Sequence, residues 1–454
     1  MSGKTQGGKL IDYGGYGCVF YPALKCKNRT RKQGTSKLMF KEYGDREYKD
    51  LTKFGKILKK IPNYQHFFIG PETVQCKNPE KFTKDDLENM EKCRPLMKKN
   101  VKPGDVNKNL KRFTFLDMTY GGMTMDTYLY NLSTYDELLT LNNSLIDLFE
   151  NGIMPMNNRG VVHNDIKGAN IVIDSKGICR LIDWGLSGII DKNSSTLEIK
   201  HRPIQYNVPY SSVLLCEDRQ NIINAYLEQT QDYSRKNCHF IALYILDKEY
   251  DKRDKLSNTL EEIYSHIYGE AMKKDVKNFL KYDIVNYLGD IIVNHITHNG
   301  KIEVDMDKYI NEIYRYNADT WGFLTCYVEI LERVISLDKR GDGRFHEFII
   351  NTTRPLNWYL YSSEWAAIVI PRKEIVSMLR KLLEPQLRFE KPYDLSKLDS
   401  LKDSSSSVVE KSDMKLSNAM HFKKRKAKHS PNGKTRKQIH PNILHRPTQL
   451  LLRS

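Results

Sequence analysis

Short runs of apolar residues alternate with polar stretches in the first 120 residues, and one longer run has a different period. The short runs, at 18–21, 37–41 and 112–118, have the length and composition of β-strands. The longer run, 45–60, repeats apolar side chains every three to four residues, as in a helix with one buried face. This part of the chain is therefore predicted to be β-rich, with a single helix.

Beyond Gly121 and Gly122 the apolar period becomes helical, and long periodic segments replace the short runs. One exception is a hairpin signal at 171–182, where two apolar runs flank a turn that contains Asp174 and Gly177. The pattern as a whole predicts an α+β fold, with a small β-rich part at 8–120 and a larger helical part at 121–398. The helical segments are 138–151, 329–337 and 373–383.

Polar, lysine-rich stretches at about 76–109 and 216–316 interrupt these patterns and are predicted to be insertions, the second one helical. The segment 399–454 is basic and rich in Ser, Lys and His, a composition that predicts disorder. Residues 401–454 supply +10 of the net charge of +16, from thirteen Lys and Arg against three Asp and Glu. A weak nucleic-acid contact is therefore predicted only through this tail. Its run 423–428 is interpreted as a nuclear-import signal, a nucleic-acid contact or a solvated chain end, and these alternatives stay open.

The eight cysteines include no Cys-x-x-Cys pair, which favours reduced thiols over a disulfide framework. Cys76 and Cys93 are interpreted as unrelated thiols rather than ligands of a shared metal ion. No run approaches the roughly 18 apolar residues of a membrane-spanning helix, and the N-terminus is polar. The expectation is a soluble protein without a membrane partner, in the cytoplasm or nucleus of a cell.

Candidate chemistry is concentrated in two neighbouring motifs. The first, at 161–170, contains Asp165, Lys167 and Asn170, and the second, at 181–185, contains Asp183. Transfer of a phosphoryl group needs a carboxylate to orient the attacking hydroxyl, a cation near the phosphate, and oxygen ligands for Mg²⁺. Asp165, Lys167, Asn170 and Asp183 supply these groups in that order.

These motifs resemble the catalytic loop and the metal-binding triplet of protein kinases, with Trp184 in place of the usual Phe. The resemblance implies the bilobal protein-kinase fold, ATP with Mg²⁺ or Mn²⁺ as cofactors, and a protein substrate. It assigns catalysis to Asp165 and Lys167, and metal binding to Asn170 and Asp183. A lysine at position 167 is the pattern of kinases that phosphorylate serine or threonine.

Upstream, the segment 12–19 resembles the glycine loop that covers the nucleotide in kinases, because glycine lets backbone amides approach phosphate. Asp12 replaces the first glycine of the usual pattern. The implied nucleotide contacts are Asp12, Gly14, Gly15, Gly17 and Val19.

Lys41 follows the apolar run 38–40 and is assigned as the strand lysine that holds the α- and β-phosphates. Its expected partner is Glu47, at the start of the predicted helix, although six residues is a short connection between them. The segment 115–120 resembles the hinge that binds adenine, with the register left open. Leu116 or Met118 would border the back pocket, and Thr119 and Tyr120 would offer backbone amides.

Further on, 202–210 resembles the end of an activation segment, with Tyr210 where most kinases have Glu. Asp319 resembles the buried aspartate that fixes the catalytic loop from beneath. Asn164 stands where most kinases have the arginine that binds a phosphorylated activation segment, so activity is expected not to depend on such phosphorylation. The glycine-loop and 202–206 motifs are similar to those of divergent kinases from giant DNA viruses such as the mimivirus group, which adds a virion to the possible locations.

Two other interpretations stay open. A pseudokinase would keep the fold as a binding module without the chemistry. A basic nucleic-acid or virion-associated protein would use its tail and carry the kinase domain as a secondary part. The stretch 338–343 looks like a calcium loop, but Arg340 and Ile349 occupy ligand positions, so a polar turn is favoured.

Overall fold

The computed structural model describes residues 8–27, 34–191, 194–195, 205–250, 255–269, 276–298, 302–338 and 343–382. In this part of the chain an antiparallel five-stranded sheet is followed by a mainly helical region. The predicted α+β class, with the bilobal arrangement, is confirmed. The predictions for the tail 399–454, and for the 202–204 part of the activation segment, lie outside the described residues.

The five-stranded sheet has the order β1-β2-β3-β5-β4, and smaller sheets follow it. The strands of the large sheet are β1 (Lys9–Tyr13), β2 (Gly17–Tyr21), β3 (Thr35–Phe40), β4 (Val74–Cys76) and β5 (Phe113–Met118). The later strands are β6 (Met123–Thr124), β7 (Val161–Val162), β8 (Ile171–Ile173), β9 (Cys179–Leu181), β10 (Gly188–Asp191), β11 (Ser194–Ser195), β12 (Ile296–Thr297) and β13 (Glu303–Val304).

The helices begin with α1 (Lys41–Leu58), which follows β3 directly and includes most of the predicted helical run 45–60. Short helices follow: α2 (Tyr64–Phe67), α3 (Lys84–Leu87), α4 (Arg94–Met97) and α5 (Pro103–Val106). The helical region contains α6 (Met125–Asn131), α7 (Tyr135–Asp147), α8 (Met154–Asn158), α9 (Glu217–Thr230), α10 (Arg235–Tyr250), α11 (Lys255–Tyr268), α12 (Val276–Asn294), α13 (Met306–Tyr309), α14 (Arg315–Asp338), α15 (Gly343–Tyr361) and α16 (Arg372–Lys381).

One face of the large sheet is buried beneath the segment 77–112. Alternation along the strands places Cys18 and Phe20 of β2, Leu38 of β3 and Phe115 of β5 on this face. Apolar side chains of the segment, such as Met90, pack against them in one cluster. The predicted first insertion therefore covers the sheet, and the other face remains for a site.

Two disulfides are present in the β-rich part of the chain, which corrects the prediction of reduced cysteines, and the first of them joins this segment to the sheet. Cys18 pairs with Cys93, and Cys26 pairs with Cys76. The remaining four cysteines are free and buried. Because disulfides are typical of oxidising compartments, the argument from cysteine usage for an intracellular location no longer holds. Among the described residues, no helix combines the length and apolar character needed to cross a membrane.

The predicted hairpin at 171–182 is present as β8 and β9, and it places the two chemical motifs side by side. Residues 163–170 connect β7 to β8, and Asp183 follows β9 by two positions. The backbone amide of Ile182 donates to the carbonyl of Asn170 over 3.0 Å, which fixes the end of one motif to the start of the other.

Candidate active site

The open face of the sheet carries one row of side chains that crosses three strands. Val19 of β2 pairs with Lys37 of β3, and Lys37 pairs with Leu116 of β5. Directly opposed residues on neighbouring strands lie on the same face of a sheet. The row therefore brings Val19 and Leu116, both predicted nucleotide contacts, to either side of Lys37.

Lys37 forms two ion pairs that join the sheet, helix α1 and the segment after β9. Its Nζ lies 2.8 Å from Oε1 of Glu47 and 3.2 Å from Oδ1 of Asp183. Burial disfavours the charged ammonium, but the attraction of Asp183 and Glu47 outweighs it and raises the pKa of Lys37. Attraction to Lys37 in turn lowers the pKa of Asp183. Lys37 and Asp183 are therefore charged near neutral pH, whereas burial raises the pKa of Glu47 above that of an ordinary glutamate.

The strand lysine that pairs with Glu47 is Lys37, which corrects the assignment of Lys41. Lys41 is the first residue of α1 and is exposed, because β3 ends at Phe40 rather than at the lysine. The partner is Glu47, as predicted, but ten residues rather than six separate it from the lysine. The unusually short spacing between Lys41 and Glu47 was the signal in the sequence that favoured Lys37.

The predicted glycine loop is the turn between β1 and β2, where the amide of Gly14 donates to the carbonyl of Gly17 over 2.8 Å. A Cβ at Gly14 or Gly15 would meet no atom within 4 Å, so the space around the turn is open. At Gly17 a Cβ would lie 2.7 Å from Cγ of Met39, because β2 passes close to β3 there. The carboxylate of Asp12 is close enough to Asp183 for the two charges to interact.

The hinge candidates lie at the end of β5. Leu116 is fully buried beside Lys37, whereas Met118 pairs with Thr35 and is partly exposed. The strand register thus places Leu116, rather than Met118, beside Lys37. Thr119 and Tyr120 follow the strand and are exposed, and the ring of Tyr120 lies 4.3 Å from that of Tyr21 on β2.

Three donors orient the carboxylate of Asp165. Lys167 Nζ and Asn170 Nδ2 each lie 2.9 Å from Oδ2, and Asn207 Nδ2 lies 2.9 Å from Oδ1. The side chain of Asp165 is only 9% exposed, so these contacts hold it in one position. The first two donors are predicted site residues. Asn207 belongs to the segment 202–210 and was not predicted as a site residue. Its contact joins two parts of the chain that are 42 positions apart.

The backbone beneath Asp165 is fixed by Asp319 of α14. Its carboxylate accepts hydrogen bonds from the amides of His163 and Asn164, over 2.8 and 2.7 Å, and from Asn157 Nδ2 over 2.7 Å. Asn164 has φ 61°, in the left-handed region, and its side-chain oxygen accepts from the hydroxyl of Tyr314 over 2.9 Å. Asp319 therefore lies where the sequence places it, beneath the loop.

Trp184 anchors Asp183 to helix α1. Its Nε1 donates to the carbonyl of Ile69 over 2.7 Å, and its buried ring lies 6.2 Å from that of Phe54 on α1. The ring also packs edge-on against His163 at 5.0 Å. Substituting Trp for Phe in this triplet thus keeps an apolar contact and adds a hydrogen bond.

Tyr210 lies in an aromatic cluster rather than in an ion pair. It is 2% exposed, and its ring packs edge-on against Trp321 of α14 at 5.0 Å. Tyr287 of α12 and Tyr361 of α15 are next to it, each at 6.2 Å between ring centroids. The contacts of Tyr210 therefore come partly from the segment predicted to be an insertion, through Tyr287.

A second buried carboxyl, Glu329 of α14, was not singled out from the sequence. It accepts hydrogen bonds from the amide of Gly168 over 3.0 Å and from the hydroxyl of Tyr206 over 2.7 Å. Burial, together with the neighbouring negative charge of Asp126, raises the pKa of Glu329 to about 8. The carboxyl is therefore mostly protonated at neutral pH, and it ties the catalytic-loop segment to the residues that precede Asn207.

We expect the substitution Glu329→Gln to change how stability depends on pH. A folded-state pKa of about 8, against about 4.5 for the unfolded chain, means that the fold holds an extra proton between these values. Wild-type stability should therefore fall as pH rises from 5 to 8, by several kcal/mol at most, since each pKa unit corresponds to about 1.4 kcal/mol. Glutamine cannot ionise, so this loss should disappear in urea unfolding measurements.

The exposed Glu228→Gln, on α9, is the control and should keep the wild-type slope. A constant difference between wild type and Glu329→Gln at all pH values would contradict the raised pKa.

Comparison with known proteins adds sequence similarity to this geometry. A stretch of 145 residues is 26% identical to mitogen-activated protein kinase kinase kinase 1b of Physcomitrium patens. It covers 31% of this chain and 18% of that protein. A stretch of 73 residues is 36% identical to the serine/threonine-protein kinase STE11 of Saccharomyces cerevisiae, covering 16% of this chain and 10% of that protein. Parts of the chain are similar to serine/threonine-protein kinases.

A probable serine/threonine-protein kinase of Dictyostelium discoideum matches over 82 residues at 35% identity, covering 18% of this chain and 12% of that protein. The chain thus spans less than a fifth of the length of these curated relatives. No family model matches the chain. The similarity to viral kinases stays a prediction.

Proposed function

We propose that this chain is an ATP-dependent protein kinase that phosphorylates serine or threonine hydroxyls. The observation that carries the proposal is the set of contacts around Lys37, which join the sheet, α1 and Asp183 in one network. This network lies on the open face of the sheet, and Asp183 follows directly on the hairpin that starts from the catalytic loop. The partial similarity to serine/threonine kinases supports it.

The residues present fit a nucleotide and a divalent cation. The described side-chain hydrogen bonds of Asn170 are donated by Nδ2, to the carbonyl and Oδ2 of Asp165, so its side-chain oxygen is the atom suited to a cation. The side chain of Asp183 is 42% exposed although one oxygen contacts Lys37. Amide and carboxylate oxygens are the ligands that Mg²⁺ prefers. When bound, Mg²⁺ would offset the charge of the phosphates.

The chain's own residues would position the reactants. Lys37 would bind phosphate oxygens, and Glu47 would keep its ammonium directed toward the cleft. Asp165 would accept a hydrogen bond from the substrate hydroxyl. It would orient the hydroxyl and take its proton late rather than early, because a carboxylate is a weak base toward a ground-state hydroxyl. Lys167 would stabilise negative charge on the transferred group, because its Nζ is next to Asp165.

The proposal is tested by incubating the full-length protein with labelled ATP, Mg²⁺ and a generic basic protein. We expect label on serine and threonine, and its loss when the divalent cation is chelated. The variant Asp165→Ala serves as the control for contaminating kinases. Equal label with wild type and variant, or binding of ATP without any transfer, would contradict the proposed activity. The second of these outcomes would instead support a pseudokinase.

A further inference from the structure

Three side chains from three helices converge at the far end of α14. Nε2 of His266 on α11 lies 2.9 Å from Oδ2 of Asp338, the last residue of α14. Nδ1 of His346 on α15 lies 3.1 Å from the same oxygen. One ligand atom from each of the three residues lies within 4.8 Å of the other two. None of these residues takes part in the candidate active site.

We propose that His266, Asp338 and His346 bind a divalent transition-metal ion, with Zn²⁺ as the best fit. Two imidazole nitrogens and one carboxylate oxygen are a recurrent ligand set for Zn²⁺, with a fourth position for water. Around a tetrahedral Zn²⁺ with ligand distances near 2.0 Å, neighbouring ligand atoms lie about 3.3 Å apart. The two observed N–O distances are close to this value, so small side-chain rotations would admit the ion.

Burial and access also fit a metal site. The side chains of Asp338 and His266 are 12% and 21% exposed, so their ligand atoms are held in a partly dry environment. The side chain of His346 is 50% exposed and offers a route for the ion and a water ligand. The rings of His266 and His346 are 6.1 Å apart and inclined at 61°, so they do not stack face to face.

The ion would join α11, which belongs to the predicted insertion 216–316, to α14 and α15. Nineteen residues of α14 separate Asp319, beneath the catalytic loop, from Asp338, a distance of about 28 Å at the rise of an α-helix. The site is thus remote from the candidate active site. Its expected role is to fix the inserted helix to the helical region.

A neighbouring His–Asp pair provides a matched control. His239 of α10 lies 2.9 Å from Asp290, but Arg235 binds the same carboxylate over 2.7 Å. A guanidinium on the carboxylate repels a cation and occupies the oxygens that would bind it. Substituting His239 therefore removes a histidine from the same insertion without touching the proposed ligands.

The test uses the full chain, untagged and stripped with a chelator, without nucleotide. Zn²⁺ is titrated in by calorimetry, and Co²⁺ serves as a second probe because its visible absorption reports the coordination geometry. We expect one site that His266→Ala and His346→Ala each weaken by about 100-fold or more, since loss of an outer partner alone costs about 10- to 100-fold. His239→Ala should bind as wild type does. All variants keep the histidines that lie outside the substituted position, so binding of Zn²⁺ to those residues does not distinguish the variants.

Thermal unfolding gives a second readout. Zn²⁺ should raise the wild-type Tm by about 2 °C or more, and this rise should be absent in His266→Ala and Asp338→Asn. Circular dichroism without metal checks that each variant is folded. Equal Zn²⁺ binding by wild type and the two histidine variants would overturn the proposal. If the wild type binds no Zn²⁺, the proposal is also overturned, and His266, Asp338 and His346 form only a hydrogen-bonded group. Neither result depends on kinase activity.

Discussion

Replacing Lys37 by methionine is expected to lower kcat/KM for phosphoryl transfer by about 100-fold or more. Methionine keeps the length and apolar stem of the side chain but removes the cation that pairs with Glu47 and Asp183. Removing one preorganised electrostatic contact from an active site typically costs about 100- to 1,000-fold in rate. Glu47 and Asp183 would also lose the positive charge that holds their carboxylates close to each other. Steady-state kinetics at varied ATP concentration measures the effect.

Lys41→Met is the matched variant, since the two lysines lie four positions apart and differ in burial. It removes an exposed charge from the first turn of α1, and it should leave kcat/KM within about twofold of wild type. A loss in Lys41→Met with full activity in Lys37→Met would reverse the assignment. Equal activity of all three proteins would show that the network around Lys37 does not serve the reaction.

The second large effect is expected at Asp319, whose substitution by Asn should lower the free energy of unfolding by about 3 kcal/mol. Asp319 is completely buried and accepts three hydrogen bonds, two of them from backbone amides of the catalytic loop. An asparagine of the same shape turns one acceptor into a donor, so at least one buried N–H group would lack its partner. Urea unfolding measures the loss.

Activity should fall together with stability in Asp319→Asn, because Asp165 follows the held amides by one and two residues. Asp307→Asn, an exposed aspartate in the first turn of α13, is the control and should change stability by no more than about 0.5 kcal/mol. Stability within that range for Asp319→Asn would mean that the loop does not depend on this carboxylate.

The sequence predicted those parts of the site whose residues are close together in the chain. Asp165, Lys167 and Asn170 share one loop, and a hairpin of a few residues brings Asp183 beside them. Local spacing is sufficient there, because a tight turn determines which residues meet. The position of Asp319 beneath the loop was predicted differently, from the resemblance of its motif to that of protein kinases rather than from spacing.

The sequence did not predict the features that depend on strand register or on contacts between residues far apart in the chain. Choosing between Lys37 and Lys41 requires knowing that α1 begins at Lys41, directly after β3, whereas the sequence pattern predicted the helix only from residue 45. Glu329 meets Gly168 across 161 positions, and no local pattern announces the contact. Cys18 and Cys93 are 75 positions apart and meet because the inserted segment folds back over the sheet, while Cys26 and Cys76 meet across 50 positions.

The aromatic cluster around Tyr210 has a consequence for the response to ionic strength. Most of the kinases that this motif resembles have Glu here, which implies an ion pair whose attraction weakens as dissolved salt screens its charges. Buried rings such as those of Tyr210, Trp321 and Tyr287 attract one another by packing and by exclusion from water. Salts such as sulfate strengthen that exclusion. The segment around Tyr210 should therefore keep its position at high salt concentration.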